Sequence, residues 1–211
     1  MLGRLRTTPP TTFNYVMPKE HHYIYLIQKC DSRNGSYHKI MAAANEGFRR
    51  FIVFSAAEQR SWRLALLYGE TTEVLREFEA GDVWHEYLKV LDSNVVHRCN
   101  ASSSENVFQE VMKVIPKALP TTIVALLDSS MLNTEAIQKL KTQEYLRLSL
   151  VLFDAGDLPG TVLSNAPTNT KLFVVPSQLD QEAMAASIDL ALHNIHHSTA
   201  VLYGDITKVT R

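Results

Sequence analysis

Three stretches of this chain are almost wholly apolar and do not alternate: Thr121 to Leu127, Leu148 to Phe153 and Lys171 to Val175. A strand with one wet face alternates apolar and polar side chains, so runs of this kind imply strands covered on both faces. Amphipathic segments lie between them. Buried strands separated by helices predict an α/β fold: a three-layer α/β/α sandwich with a mainly parallel sheet of five or more strands. At 211 residues there is enough chain for one substantial core. Residues 1 to 19, which carry Pro9 and Pro10, read as a flexible N-terminal arm, and residues 20 to 211 as a single α/β domain.

The individual elements follow from periodicity and caps. His22 to Gln28 (HYIYLIQ) is rich in aromatic and β-branched residues and reads as a strand. Tyr37 to Phe48 reads as a helix closed by Gly47, and Arg50 to Phe54 (RFIVF) as a second short strand. Ser55 and Glu58 have the spacing of a capping box. Trp62, Leu64, Leu66 and Tyr68 alternate as in a strand, but the cap before them favours a helix, which is the expectation adopted. Thr72 to Ala80 and Val83 to Leu91 read as two more helices, so that Ser55 to Ser93 would form a helical lid or flank.

In the second half, Asn94 to Cys99 is a short strand candidate, and Ser102 with Glu105 opens a helix through Val107, Val111 and Ile115. A helix capped by Asn133 should bury Ile137 and Leu140. Ser177 and Asp180 should open another, with Met184, Ile188, Ala191 and Ile195 on one face. Thr199 to Tyr203 reads as a last strand, which Gly204-Asp205 would turn back through Ile206 and Val209.

Charge and motifs exclude several functions. A formal net charge of −1 provides no field for nucleic acid or anionic lipid, and the two basic clusters, Arg49-Arg50 and Lys139 to Lys141, lack interleaved aromatics. No apolar run approaches the roughly 20 residues of a membrane-spanning helix. The sequence contains no phosphate-cradling Gly-x-x-x-x-Gly-Lys-Ser/Thr, no Gly-x-Gly-x-x-Gly, no Gly-x-Ser-x-Gly and no His-Glu-x-x-His. His193 and His197, four residues apart, have the spacing of two zinc ligands but lack an evident third; they read instead as residues finishing a helix. Cys30 and Cys99 are expected to be free thiols in a reducing, cytoplasmic setting.

One constellation remains. Parallel sheets bind ligands beyond the carboxyl ends of their strands. Asp128 ends one predicted strand, Asp154 ends the next, and Asp157 follows. On neighbouring strands, Asp128, Ser130 and Asp154 would form an oxygen-rich site for magnesium. The Asp128-Ser129-Ser130 stretch after an apolar strand also resembles the metal-binding loop of von Willebrand factor A-like domains. That loop has the spacing Asp-x-Ser-x-Ser, from which this chain departs at Leu132. The opposing reading makes these residues turn closures, the usual role of Asp and Ser at strand ends.

An ordinary core without a recognisable catalytic constellation predicts a non-catalytic protein acting through protein–protein contacts, as a component or accessory factor of a larger assembly, with no cofactor and with a homo-oligomer left open. The alternative is a magnesium-dependent phosphate-handling enzyme using Asp128, Asp154 and Asp157.

Overall fold

The computed structural model describes residues 22–31, 37–57, 62–68, 71–78, 89–92, 97–98, 103–115, 120–132, 134–141, 146–154, 164 and 170–206. The expected N-terminal arm, Asp157 and Glu58 lie outside them.

The strands are β1 (His22–Gln28), β2 (Cys30–Asp31), β3 (Trp62–Tyr68), β4 (Thr71–Phe78), β5 (His97–Arg98), β6 (Thr121–Asp128), β7 (Leu146–Phe153) and β8 (Lys171–Val175). The helices are α1 (Tyr37–Ala57), α2 (Ser103–Lys113), α3 (Thr134–Lys141) and α4 (Gln181–Ile206), with short 3-10 turns at Lys89–Asp92 and Ser129–Met131.

The main sheet has the order β4-β3-β1-β6-β7-β8. Five of its strands run parallel, and β4 pairs antiparallel with β3 at one edge. Side chains of β1 leave alternately to two cores. Tyr23, Tyr25 and Ile27 join Phe48 and Phe51 of α1 and Ile188 and Ile195 of α4. Ile24 and Leu26 join Phe108 and Val111 of α2 and Ile137 and Leu140 of α3. Helices on both faces of a mainly parallel sheet make the three-layer α/β/α sandwich that the apolar runs predict.

Several local expectations are corrected. Arg50 to Phe54 is not a strand but the last third of α1, and Gly47 and Ser55 lie inside that helix. The cause is periodicity over a longer window: Ile40, Ala44, Phe48, Phe51 and Ile52 form one buried helical stripe, and its burial outweighs the strand preference of a short β-branched run. Gly47 serves close packing. A Cβ there would lie 2.7 Å from the Ala185 carbonyl oxygen and 2.8 Å from Cβ of Ile188, so its missing side chain lets α1 and α4 approach.

Trp62 to Tyr68 is a strand, not a helix, with Trp62, Leu64 and Leu66 in one core and Ala65 and Leu67 in the other. Thr71 to Phe78 is its antiparallel partner, so the expected helix at Thr72 to Ala80 and the helical lid are both replaced by a hairpin. Of Val83 to Leu91, only Lys89 onward is described, in a 3-10 turn. Thr199 to Tyr203 continues α4 without a break, Ile206 is its last residue rather than part of a return strand, and Val209 lies outside the described residues.

Cys30 is disulfide-bonded, and Cys99 is the only other cysteine in the sequence. This overturns the expectation of free thiols. β2 pairs parallel with β5, setting Cys30 opposite His97, and that long-range pairing brings together two stretches nothing local would associate.

Candidate functional site at the carboxyl edge of the sheet

Because β1, β6, β7 and β8 are parallel, their carboxyl ends open on one edge. The two aspartates singled out from the sequence stand there, on hydrogen-bonded neighbours: Asp128 at the end of β6 and Asp154 just after β7. That much of the proposed cluster is real.

Each carboxylate already holds a backbone N–H of its own edge, however. Asp128 is 1% exposed. Its Oδ1 accepts from the backbone N–H of Ser130 at 2.9 Å, so it caps the 3-10 turn Ser129–Met131. Its own backbone N–H donates to Oε1 of Gln28, at the end of β1, at 2.7 Å. Gln28 is fully buried, and its Nε2 donates to the Cys30 carbonyl at 3.0 Å. Ser130 is exposed, on the rim of the turn.

Asp154 adopts φ 52°, a left-handed conformation that Asp tolerates better than most residues because its short side chain bonds locally. Its Oδ1 accepts from the Ser177 N–H at 2.6 Å, and its Oδ2 takes the Ser177 hydroxyl. Its N–H donates to the Val175 carbonyl at 3.3 Å, and its carbonyl accepts the Ser129 hydroxyl at 2.6 Å. Of Ser177 and Asp180, the two residues expected to open α4, Asp180 caps it, its Oδ1 accepting from the Ala183 N–H at 2.8 Å, while Ser177 is turned to Asp154.

The resulting chain of bonds, Gln28 to Asp128 across the turn and Ser129 to Asp154 to Ser177, laces together the loops after four strands. Gln28 is the member that reading the sequence missed. Its signal was a polar residue closing an otherwise apolar strand.

The other expected sites resolve as packing. Ring centroids of His193 and Phe51 lie 5.3 Å apart, and Nε2 of His193 is 3.3 Å from Oδ1 of Asp189. His196 is buried against Tyr23 and Phe51. His197 is exposed, and neither it nor His193 finishes a helix, since α4 runs on to Ile206. Arg50 is paired with Glu46 and Glu182. A recess of about 640 Å³ beside α1 and the start of α4 is lined in part by Lys29, Asn45, Arg49 and Leu91. There the Leu91 carbonyl accepts from Nζ of the buried Lys29 and from Nδ2 of Asn45.

No protein-family model and no curated protein matches the sequence. Solved structures do match the fold. The SpRpn10 VWA domain superposes with a TM-score of 0.50 at 12% identity, over 78% of this chain and 93% of that one. The pilus adhesin SpaC from Lactobacillus rhamnosus GG, in its open conformation, superposes with a TM-score of 0.59 at 8% identity, over 84% of this chain and 30% of that one. Proximal thread matrix protein 1 from the mussel byssus superposes with a TM-score of 0.50 at 12% identity, over 84% of this chain and 48% of that one.

The fold is VWA-like. This chain spans nearly all of the SpRpn10 domain but less than half of the other two proteins.

The VWA-like fold makes a metal site at the carboxyl edge worth testing against the residues present. After β6 the Asp-x-Ser-x-Ser spacing ends in Leu132, whose partly buried side chain packs on the apolar core. The same spacing laid on the end of β1 reads Gln28, Cys30 and Ser32: a neutral amide, then a disulfide sulfur. A hard cation needs ionised or carbonyl oxygens facing it. The oxygen of Gln28 and Oδ1 of Asp128 already accept main-chain N–H groups. Among the described residues no three His, Cys, Asp or Glu side chains are grouped to hold a metal ion. These residues do not fit a metal-binding loop.

Proposed function

We propose that this chain is a non-catalytic binding module that acts through protein–protein contacts as a component or accessory factor of a larger assembly. The observation that carries this reading is the commitment of both candidate carboxylates, Asp128 and Asp154, to capping the loops that they hold. A general base or metal ligand must present its oxygens to substrate, whereas Oδ1 of Asp128 and Oδ1 of Asp154 accept main-chain N–H groups and Oδ2 of Asp154 accepts the Ser177 hydroxyl. The VWA-like fold supports the reading, since one structural neighbour is a pilus adhesin and another a thread matrix protein. Fold likeness supports a binding role only by analogy.

The partner in this reading is a protein and not nucleic acid, in keeping with the net charge of −1. Among the described residues no helix is long and apolar enough to cross a membrane. The disulfide at Cys30 removes the support for a reducing, cytoplasmic setting and favours an oxidising one.

The test is purification of the untagged protein from its own host, followed by size-exclusion chromatography. Elution with a second polypeptide in fixed ratio, at a mass above 23.8 kDa, is the expected result. Magnesium-dependent turnover of a phosphoester, lost in both Asp128→Asn and Asp154→Asn, would replace the binding reading with the enzymatic one.

A further inference from the structure

The geometry points to a carboxyl edge that is locked by Gln28 without any divalent cation. This goes beyond the binding role and does not depend on it, because its test reads stability alone.

The loops after β1 and β6 meet at this edge, and something must hold them. Gln28 does so with a single neutral side chain. Its Oε1 accepts the Asp128 backbone N–H at 2.7 Å, and its Nε2 donates to the Cys30 carbonyl at 3.0 Å. A planar amide with one donor end and one acceptor end suits this pair of opposite demands, which neither a carboxylate nor a cation meets. Gln28 is fully buried and Asp128 nearly so, so both bonds are made away from water, where an unmade bond costs most. A cation entering between them would have to displace these bonds and replace its hydration shell with oxygens already in use.

The Asp128 carboxylate faces its own turn, holding the Ser130 N–H at 2.9 Å, and so tightens the edge independently of the amide. The disulfide at Cys30 anchors the residue whose carbonyl Gln28 holds. Amide, cap and disulfide together do the work of a bound metal in ordering the edge.

Thermal melting of the full chain under non-reducing conditions tests this. Magnesium, calcium, manganese and zinc, added singly to millimolar concentration, should leave the wild-type midpoint within about 1 °C, and a chelator should not lower it. An occupied site at about 100 times its Kd raises a midpoint by several degrees, so a cation-dependent rise in the wild type that disappears in Asp128→Asn overturns the inference. In Gln28→Glu an oxygen faces the Cys30 carbonyl in place of the N–H donor, and the midpoint should fall by about 4 °C or more. A Gln28→Glu protein as stable as wild type also overturns it. If that variant does not fold, Gln28→Met, which keeps the size and removes both bonds, gives the same comparison, and the wild-type cation series stands unchanged.

Discussion

Ser177 donates both its backbone N–H, at 2.6 Å, and its hydroxyl to the carboxylate of Asp154, a residue 23 positions earlier. The pair clasps the loop after β7 to the loop after β8, in a backbone conformation, φ 52°, that few side chains accept. Asp154→Asn keeps an acceptor and the tolerance for that conformation, and should cost roughly 1 kcal/mol or less. Asp154→Val strands the Ser177 donor and strains the backbone, and should cost about 2–4 kcal/mol. Urea denaturation of the two variants should separate them clearly; equal losses would mean that the clasp contributes nothing.

Gly47→Ala provides a test of helix packing in which two effects oppose. Alanine in place of glycine in a helix interior should gain about 1 kcal/mol from propensity. The new Cβ would sit 2.7 Å from the Ala185 carbonyl oxygen, which is backbone and cannot swing away. Overpacking of this kind costs about 1–3 kcal/mol, so the net change should be a loss. A more stable Gly47→Ala protein would show that α1 and α4 separate easily.

Thiol counting in denaturant without reductant should find no reactive thiol, since Cys30 is disulfide-bonded. Reduction should lower the unfolding free energy by about 2–4 kcal/mol, the usual worth of such a link. Two thiols in the protein as isolated would return Cys30 and Cys99 to the free state and restore the argument for a reducing compartment.

Acid should act through Glu182. The hydrogen bond from Arg50, and then the charge of that guanidinium, hold its carboxyl below the ordinary value of 4.5. A carboxyl with a depressed folded pKa adds stability that is complete above its unfolded pKa and is lost as pH falls through the folded one. The contribution should therefore be present in full above about pH 4.5 and decline below it, and Glu182→Gln should flatten that part of the pH–stability curve. The pair is exposed to solvent, so the effect should be small and shrink with added salt. An unchanged acid limb in Glu182→Gln would assign the acid sensitivity to other carboxyls.

Much of the architecture was legible one segment at a time. Thr121 to Leu127 and Leu148 to Phe153 read as strands with two covered faces, because they are short, apolar on both alternating sets of positions and flanked by helical segments. The stripe of Met184, Ile188, Ala191 and Ile195 fixed the inward side of α4 in the same way. The candidate aspartates were legible as strand-end residues, and the capping of Ser130 by Asp128 follows from what Asp does beside a turn.

Other features depended on residues far away along the chain. Arg50 to Phe54 and Trp62 to Tyr68 are both short apolar runs with strand-like composition, yet one is helix and the other strand. The difference lies in partners: Trp62 to Leu67 found β1 on one side, while Arg50 to Phe54 extended a helical stripe begun at Ile40. The hydrogen bond from Asp128 to Gln28 spans 100 positions, and the pairing of Cys30 with His97 spans 67. Local sequence sets which faces must be buried, because burial depends on periodicity within a segment. Tertiary structure decides which segments meet, because hydrogen bonding across a sheet and closure of an edge are satisfied only by groups that the fold brings together.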